Sequence, residues 1–340
     1  MQAVFDRRQQ QHDPQRFVRL GQLGESPEQP ERAERLLAAL ERATIPVRVP
    51  DDHGITPIAQ VHSPLYLHFL ETIHARWVDL PGASDEVLPN VHPRDRSERY
   101  PASPIGQAGY HQADTACPIG AHTWSAAYWS AQTALTAASA LQRNAGPQYA
   151  LCRPPGHHAC AEQAGGFCFL NNAAIAAQHL LLQGARPAVL DVDVHHGNGT
   201  QQIFYQRDDV LTVSLHADPM HFYPFFVGHR SETGAGRGVG YNINLPMPLG
   251  SDDTTFIQTL DAACDHIARF GADVLVVALG LDAHESDPLR GLAVTTSGFS
   301  RIGARIGRAG LPTVFIQEGG YLSEHLSGNL EAVLTGFTNS

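Results

Sequence analysis

The sequence predicts an α/β protein: a mostly parallel central sheet with helices on both faces and a site at the C-terminal strand ends. Three observations carry that expectation. From residue 188 onward, short apolar runs alternate regularly with helical stretches, the pattern of successive βαβ units. The runs are rich in Val, Ile and Leu without polar alternation, as strands covered on both faces must be. Asp, His and Tyr residues gather just past the ends of these runs, where open parallel sheets bind their ligands.

The elements follow in order. Residues 3–5 suit a short first strand. Residues 30–44 read as a helix with Ala33, Leu36, Leu37 and Leu40 on one stripe and charges opposite. Ser63 and Pro64 open a second helix reaching about Trp77, the serine as N-cap and the proline at the first helical position. Residues 81–107 are rich in Pro, Ser, Arg and Asp without periodicity. Connections this long are commonly functional, so an ordered insertion near the site mouth or at a subunit contact is expected. Residues 123–143 form a long Ala-rich helix, and 149–152 a strand. A helix from Asn171 or Asn172 to Gln183 ends at Gly184. The remaining strands are expected at 188–193, 210–215, 241–245, 274–279 and 313–317. Helices are expected at 200–207, 252–270 and 297–309, with a last one ending near Phe337.

Composition bounds the function. The 340 residues are 43% hydrophobic and 17% charged, which suits one globular α/β domain over residues 1–340. Residues 1–14 carry no apolar core for a signal peptide, and no run reaches membrane-spanning length. Five cysteines without a paired CxxC read as reduced thiols of a cytoplasmic protein. A formal charge of −11 speaks against nucleic acid as a partner and is permissive for cationic substrates.

The stretch Val189-Leu190-Asp191-Val192-Asp193-Val194-His195-His196-Gly197-Asn198-Gly199-Thr200 holds the chemistry. Strand alternation puts Asp191, Asp193 and His195 on one face. Two carboxylates and an imidazole among apolar neighbours are costly to bury unless a cation compensates. His157 and His158 follow one strand, Asp282 another, and Tyr321 a third. Asp193, His195 and Asp282 are ligands of the kind a catalytic zinc takes, although two carboxylates to one histidine also admit Fe(II). His157 and His158 are then general acid/base candidates, with Asp191 and Asn198 available to orient them. An Asp partner raises a histidine's basicity more than an Asn partner does, so the two should titrate differently. Tyr321 can donate to a developing oxyanion. His196 faces the other way and reads as a satisfied core histidine, while His284 is near enough to line the mouth.

Four blocks, Arg153-Pro154-Pro155-Gly156-His157-His158, Gly166-Phe167-Cys168-Phe169-Leu170-Asn171-Asn172, Asp191 through Thr200, and Glu318-Gly319-Gly320-Tyr321, resemble the signatures of the histone-deacetylase-like amidohydrolases. The match covers residues 114–321. Overall length and the 81–107 insertion most resemble the bacterial acetylpolyamine amidohydrolase branch. The resemblance implies an arginase/deacetylase fold and an enzyme that removes acetyl groups from N-acetylated amines. It implies one zinc held by Asp193, His195 and Asp282, a His157–Asp191 pair, a His158–Asn198 pair, and Tyr321 polarising the acetyl carbonyl. Gly166, Phe167 and Tyr223 would wall a narrow tunnel, with Phe replacing Tyr223 in many relatives, and Asp114 would be the rim aspartate that holds substrate. It also implies potassium at Asp191, Asp193, His195, Ser214 and Leu215, and a second monovalent site involving Phe204, Arg207, Val210 and Tyr241.

The departures lie at the mouth. Polyamine-selective members tend to carry a glutamate there, but the matching positions are Ile105 and Leu289, which leaves Asp114, Glu285 and Asp287 as acids. Short acetylated diamines are the expected substrates, and a homodimer crossed by the insertion the expected assembly. An acetyl-lysine deacetylase is the alternative. A two-manganese ureohydrolase would need Asp where Gly197 stands and a second Asp after Asp282, where Ala283 and His284 stand. A non-catalytic sensor of a small acetylated ligand has no use for His157, His158 and Tyr321 together.

Overall fold

Eight parallel strands build the centre of the molecule, in the spatial order 47–48, 2–4, 148–150, 313–317, 274–279, 187–191, 211–217 and 242–247. The computed structural model describes residues 1–96, 99–143 and 145–340. In chain order the elements begin with β1 (Gln2–Val4), the hairpin strands β2 (Phe17–Arg19) and β3 (Gln22–Gly24), α1 (Glu31–Arg42), edge strand β4 (Val47–Arg48) and α2 (Thr56–Ala59). They continue with α3 (Pro64–Val78), α4 (Pro104–His111), α5 (Thr123–Gln142), β5 (Gln148–Ala150) and α6 (Asn172–Leu182). Next come β6 (Pro187–Asp191), α7 (Asn198–Phe204), β7 (Leu211–Ala217), β8 (Asn242–Met247) and α8 (Asp253–Phe270). The chain closes with β9 (Val274–Leu279), α9 (Thr296–Gly307), β10 (Thr313–Gln317) and α10 (Leu326–Thr338).

Local chemistry sets the helix boundaries. The Ser63 side chain accepts from the Tyr66 N–H with Pro64 next to it, Asn171 caps α6 at the Ala174 N–H, and Asp252 caps α8 at the Thr255 N–H. Gly271 ends α8 in the left-handed conformation. Strand alternation sorts the core into two layers. Leu190, Val192 and Val194 pack with Phe256, Phe299 and Phe337 on one face, while Val189, Val276 and Val314 pack with Leu135 and Ile175 on the other.

The sheet changes direction between β6 and β9: the chain runs outward through β7 and β8, then returns to lay β9 on the opposite side of β6. That is a topological switch point, and ligands in open α/β sheets bind outside it.

Three features go beyond the sequence reading. The 81–107 segment, expected as an ordered insertion, runs into a helix, Pro104–His111, with Ser103 as N-cap. The Phe17–Gly24 hairpin and the edge strand Val47–Arg48 carry no apolar alternation that would have announced them. Arg32 does not lie on the solvent face of α1; it is 1% exposed, against Glu28 at 0%. A guanidinium is tolerated there because its donors reach the Glu28 carboxylate and the carbonyls of Glu318 and Gly320.

Candidate active site

Four strand ends converge. Beyond β6 the alternation persists, so Val192 and Val194 enter the core while Asp191, Asp193 and His195 face the opposite side together. Asp282 follows β9, Tyr321 follows β10, and His157 and His158 lie on the turn after β5.

Ligand atoms of Asp193, His195 and Asp282 lie within 4.8 Å of one another, and all three residues are buried. His195 Nδ1 is 3.1 Å from Asp193 Oδ1 and 3.2 Å from Asp282 Oδ2. Backbone amides fix the carboxylates: Gly319 N–H donates to Asp193 Oδ2 at 2.8 Å, and Val194 N–H to Asp282 Oδ1 at 3.1 Å. Gly319 must be glycine, because a Cβ there would come within 2.0 Å of Asp282 Oδ2. Asp282 Oδ2 is buried and, apart from its 3.2 Å contact with His195 Nδ1, has no polar partner among the described residues. Two buried carboxylates and one imidazole aimed at a common point fit a divalent cation. Burial disfavours a charged His195, but its bonds to Asp193 and Asp282 outweigh this and push it up to about 9.

Both expected histidine pairs form. His157 Nδ1 donates to Asp191 Oδ2 at 2.9 Å, and His158 Nδ1 to Asn198 Oδ1 at 2.6 Å. Their basicities separate as their partners demand. His157 overcomes burial through Asp193 and Asp191 and rises well above the ordinary range. His158 is buried beside His157 and His195 and falls well below it. With ring centres 4.0 Å apart, the two imidazoles place groups of unlike basicity in one turn.

Tyr321 is 3% exposed. Its N–H donates to Asp287 Oδ2 at 2.8 Å, its ring meets Phe167 edge-on at 5.6 Å, and the Arg32 guanidinium lies 4.7 Å from its face. Burial raises the phenol well above its ordinary range, so it remains a donor. Gly166 and Phe167 have φ of +52° and +69°. At Gly166 a Cβ would come within 2.4 Å of the His158 ring. Tyr223 stands perpendicular to His158 at 5.0 Å and donates to Asp114 Oδ2 at 2.6 Å.

Other expectations fare differently. His284 is buried, stacked on Phe299 and tilted against His325, and does not open to the mouth. His196 bonds Asn244 through Nε2, but its Nδ1 has no partner among the described residues, so it is only half satisfied. Asp287 is no mouth acid: its carboxylate is turned inward onto the N–H groups of Tyr321 and Leu289. Ile105 is exposed on α4, and Leu289 is half-buried. Ser214 lies opposite Asp191 in the ladder, and its hydroxyl bonds His216. Phe204 and Arg207 meet in one turn, and the Tyr241 carbonyl accepts from Thr212. A second bridging carboxylate at position 197 has no room, since a Cβ there would come within 2.2 Å of Asp191 Oδ2.

Sequence reasoning missed Phe222, stacked on His195 at 5.0 Å, and Phe17, which backs Phe167 at 5.5 Å. It also missed the Glu318 side chain, whose Oε2 accepts from the Gly156 and His157 N–H groups and so holds the histidine turn. Adjacency to Tyr223 was the available signal for Phe222, and a place in the Glu318–Tyr321 block that for Glu318.

Residues 26–337 match the histone deacetylase domain. The chain belongs to that family. It is 51% identical to an acetylpolyamine amidohydrolase of Burkholderia pseudomallei, over 99% of this chain and 98% of that one. It is 47% identical to acetylpolyamine amidohydrolase 1 of Pseudomonas aeruginosa, over 86% and 85%. A crystal structure of the acetylpolyamine aminohydrolase from Burkholderia pseudomallei superposes with a TM-score of 0.97 at 50% identity, covering 99% of this chain and 98% of that one. Family membership makes the architecture an arginase/deacetylase fold and the chain an amidohydrolase of the deacetylase type.

Proposed function

We propose that this chain is a zinc-dependent hydrolase that removes the acetyl group from N-acetylated polyamines or short acetylated diamines. The observation that carries the reading is the junction of three elements at one switch point. These are the Asp193–His195–Asp282 group, the His157–Asp191 and His158–Asn198 pairs, and Tyr321. The full-length similarity to enzymes named for acetylpolyamines supports the substrate class.

Asp193, His195 and Asp282 would hold the zinc, which when bound acidifies water and polarises a carbonyl. The protein's own residues do the rest. Neutral His158 accepts the proton of the attacking water, its ring held by Asn198. Protonated His157, held by Asp191, supplies a proton toward the departing amine. The Tyr321 hydroxyl donates to the oxygen that gains charge when the acetyl carbon becomes tetrahedral. Gly166, Phe167 and Tyr223 would confine the alkyl chain of the amine, with Ile105 and Leu289 contributing an apolar outer rim.

Asp191, Ser214 and Leu215 would hold a potassium ion, and Phe204, Arg207, Val210 and Tyr241 a second monovalent ion. We place the enzyme in the cytoplasm as a homodimer with no nucleic-acid or membrane partner. All five cysteines are free thiols, four of them buried, and no described helix is long and apolar enough to cross a membrane. The insertion is pinned partly by its own chain. Val87 pairs with Ile119, and Arg96 reaches the Tyr110 carbonyl and Glu162. Val91 remains 49% exposed, a site for a partner subunit to cover. Light scattering at micromolar concentration should give twice the chain mass; a monomer counts against the dimer.

The absence of carboxylates at Ile105 and Leu289 favours one second reading, an acetyl-lysine deacetylase. A panel on zinc-loaded protein separates the two: N-acetylated putrescine, cadaverine and spermidine against acetyl-lysine peptides. The diamines should have the higher kcat/KM. Peptides well above every diamine would overturn the assignment.

A further inference from the structure

Asp114 is a carboxylate set directly against Gly166 and Tyr223, and its acceptor positions are already taken. Oδ2 accepts the Tyr223 hydroxyl at 2.6 Å and the Gly166 N–H at 3.2 Å. Oδ1 accepts the Ala116 N–H at 2.8 Å and a longer contact from the same Gly166 N–H at 3.4 Å. The Cys117 thiol lies 3.7 Å from Oδ1. The three segments meet closely. A Cβ at Gly165 would lie 3.6 Å from Asp114 Oδ2 and 3.7 Å from the Tyr223 hydroxyl oxygen, and one at Gly166 only 3.0 Å from that oxygen. The other end of the Tyr223 side chain faces the chemistry, with its ring 5.0 Å from His158 and 6.0 Å from His195.

A phenol-to-carboxylate bond of this length is charge-assisted, among the stronger hydrogen bonds a protein makes. A substrate ammonium or peptide N–H would have to displace the hydroxyl or share an oxygen that already has two donors. A half-exposed ion pair returns little for that exchange.

We propose that Tyr223 sets substrate choice by occupying Asp114. The Tyr223–Asp114–Gly166 clamp fixes the separation of the two walls and withholds the carboxylate from the substrate tail. Discrimination then follows chain length and shape, and a tail's charge counts for little. This deepens the deacetylase reading and rests on it. Removing only the hydroxyl, by Tyr223→Phe, leaves the ring in place and opens one lone-pair direction on Asp114 Oδ2. A tail that carries an N–H donor should then gain, and a neutral tail of equal length should not.

The test uses two matched pairs on the metal-loaded enzyme. The first is N-acetylcadaverine against N-acetylpentylamine, read as the ratio of their kcat/KM. The second is 6-aminohexanohydroxamate against hexanohydroxamate, read as the ratio of their Kd by calorimetry, which needs no turnover. Wild type and Asp114→Asn should give ratios within about twofold of each other, even if Asp114→Asn lowers both rates through the walls. Tyr223→Phe should raise the charged-over-neutral ratio by about fivefold, the scale of one exposed ion pair. Asp114→Asn added to Tyr223→Phe should return the ratio to the wild-type value. A collapse of the ratio in Asp114→Asn alone would show that Asp114 already holds the tail and would sink the proposal. So would an unchanged ratio in Tyr223→Phe. If the hydroxamate ratios shift as stated while no protein hydrolyses either amide, the clamp stands and the deacetylase reading fails.

Discussion

Tyr321 is held at three points that do not involve its hydroxyl: the Asp287 carboxylate at its N–H, the edge of Phe167, and the Arg32 guanidinium at its ring face. That preorganisation leaves the hydroxyl as the one group whose removal tests the oxyanion role alone. Tyr321→Phe should retain stoichiometric zinc and hydroxamate affinity while kcat falls by roughly 10²–10³. A near-normal kcat on acetyl amides would show that the hydroxyl is not aimed at the reacting oxygen. At the same scale, the separation of His157 from His158 follows from their partners. A carboxylate stabilises the imidazolium and an amide oxygen does so far less, so the distinction already lay in the identities of Asp191 and Asn198.

Among the elements, α1 reaches the site through one side chain. Arg32 joins the helix to the loop after β10 by donating to the carbonyls of Glu318 and Gly320, while Glu28 pairs with both Arg32 and Arg153. Arg32→Met would leave the buried Gly320 carbonyl without a donor, the Glu318 carbonyl with only the longer bond from Gln317 Nε2, and Glu28 with Arg153 as its single arginine. The expected loss is about 3–5 kcal/mol, read from denaturant midpoints, together with a lower kcat as the Tyr321 loop loosens. A loss below about 1 kcal/mol would show that water replaces the guanidinium readily. The junction of α3 with α6 depends on a neutral histidine. His62 Nε2 accepts from the Asn171 N–H at the α6 cap, and burial lowers His62 to about 4 despite bonds to nearby carbonyls. Its unfolded value is near 6.5, so the unfolded chain binds more protons between those limits. The stabilisation is complete above pH 6.5 and is lost as pH falls toward 4. Relative to His62→Gln, which cannot charge, wild type should lose up to about 1.4 kcal/mol per pH unit across that window. Parallel stability curves for the two proteins would contradict a neutral buried His62.

For the whole molecule, the consequence of the switch point is that the metal group joins distant parts of the chain. Asp193 and His195 come from the β6 end, Asp282 from the β9 end, and Gly319 binds Asp193 from beyond β10. A cation bound there holds three adjacent strand ends and does not recognise the unfolded chain in that arrangement, so it stabilises the fold by mass action. Chelation should lower the thermal midpoint by several degrees, and added zinc should restore it. An unchanged midpoint on complete metal removal, verified by elemental analysis, would mean that protonated His195 neutralises the cluster as well as a metal does.

The sequence by itself determined the sheet's parallel character, the strands at 274–279 and 313–317, and the chemical identity of the site. Each of these is written locally, in apolar runs, in period-two alternation through Asp191, Asp193 and His195, and in caps such as Ser63 and Asn171. Tertiary structure alone decided which way the remaining polar groups turned. Arg32 and Asp287 have the composition of surface residues, and only the carbonyls and amides brought to them by folding make burial tolerable. The hairpin that places Phe17 behind Phe167 was illegible because two three-residue strands carry too few positions to show a period. The bond from Tyr223 to Asp114 was illegible for a different reason: its partners lie 109 residues apart in the chain, and no local pattern records a contact made across that distance.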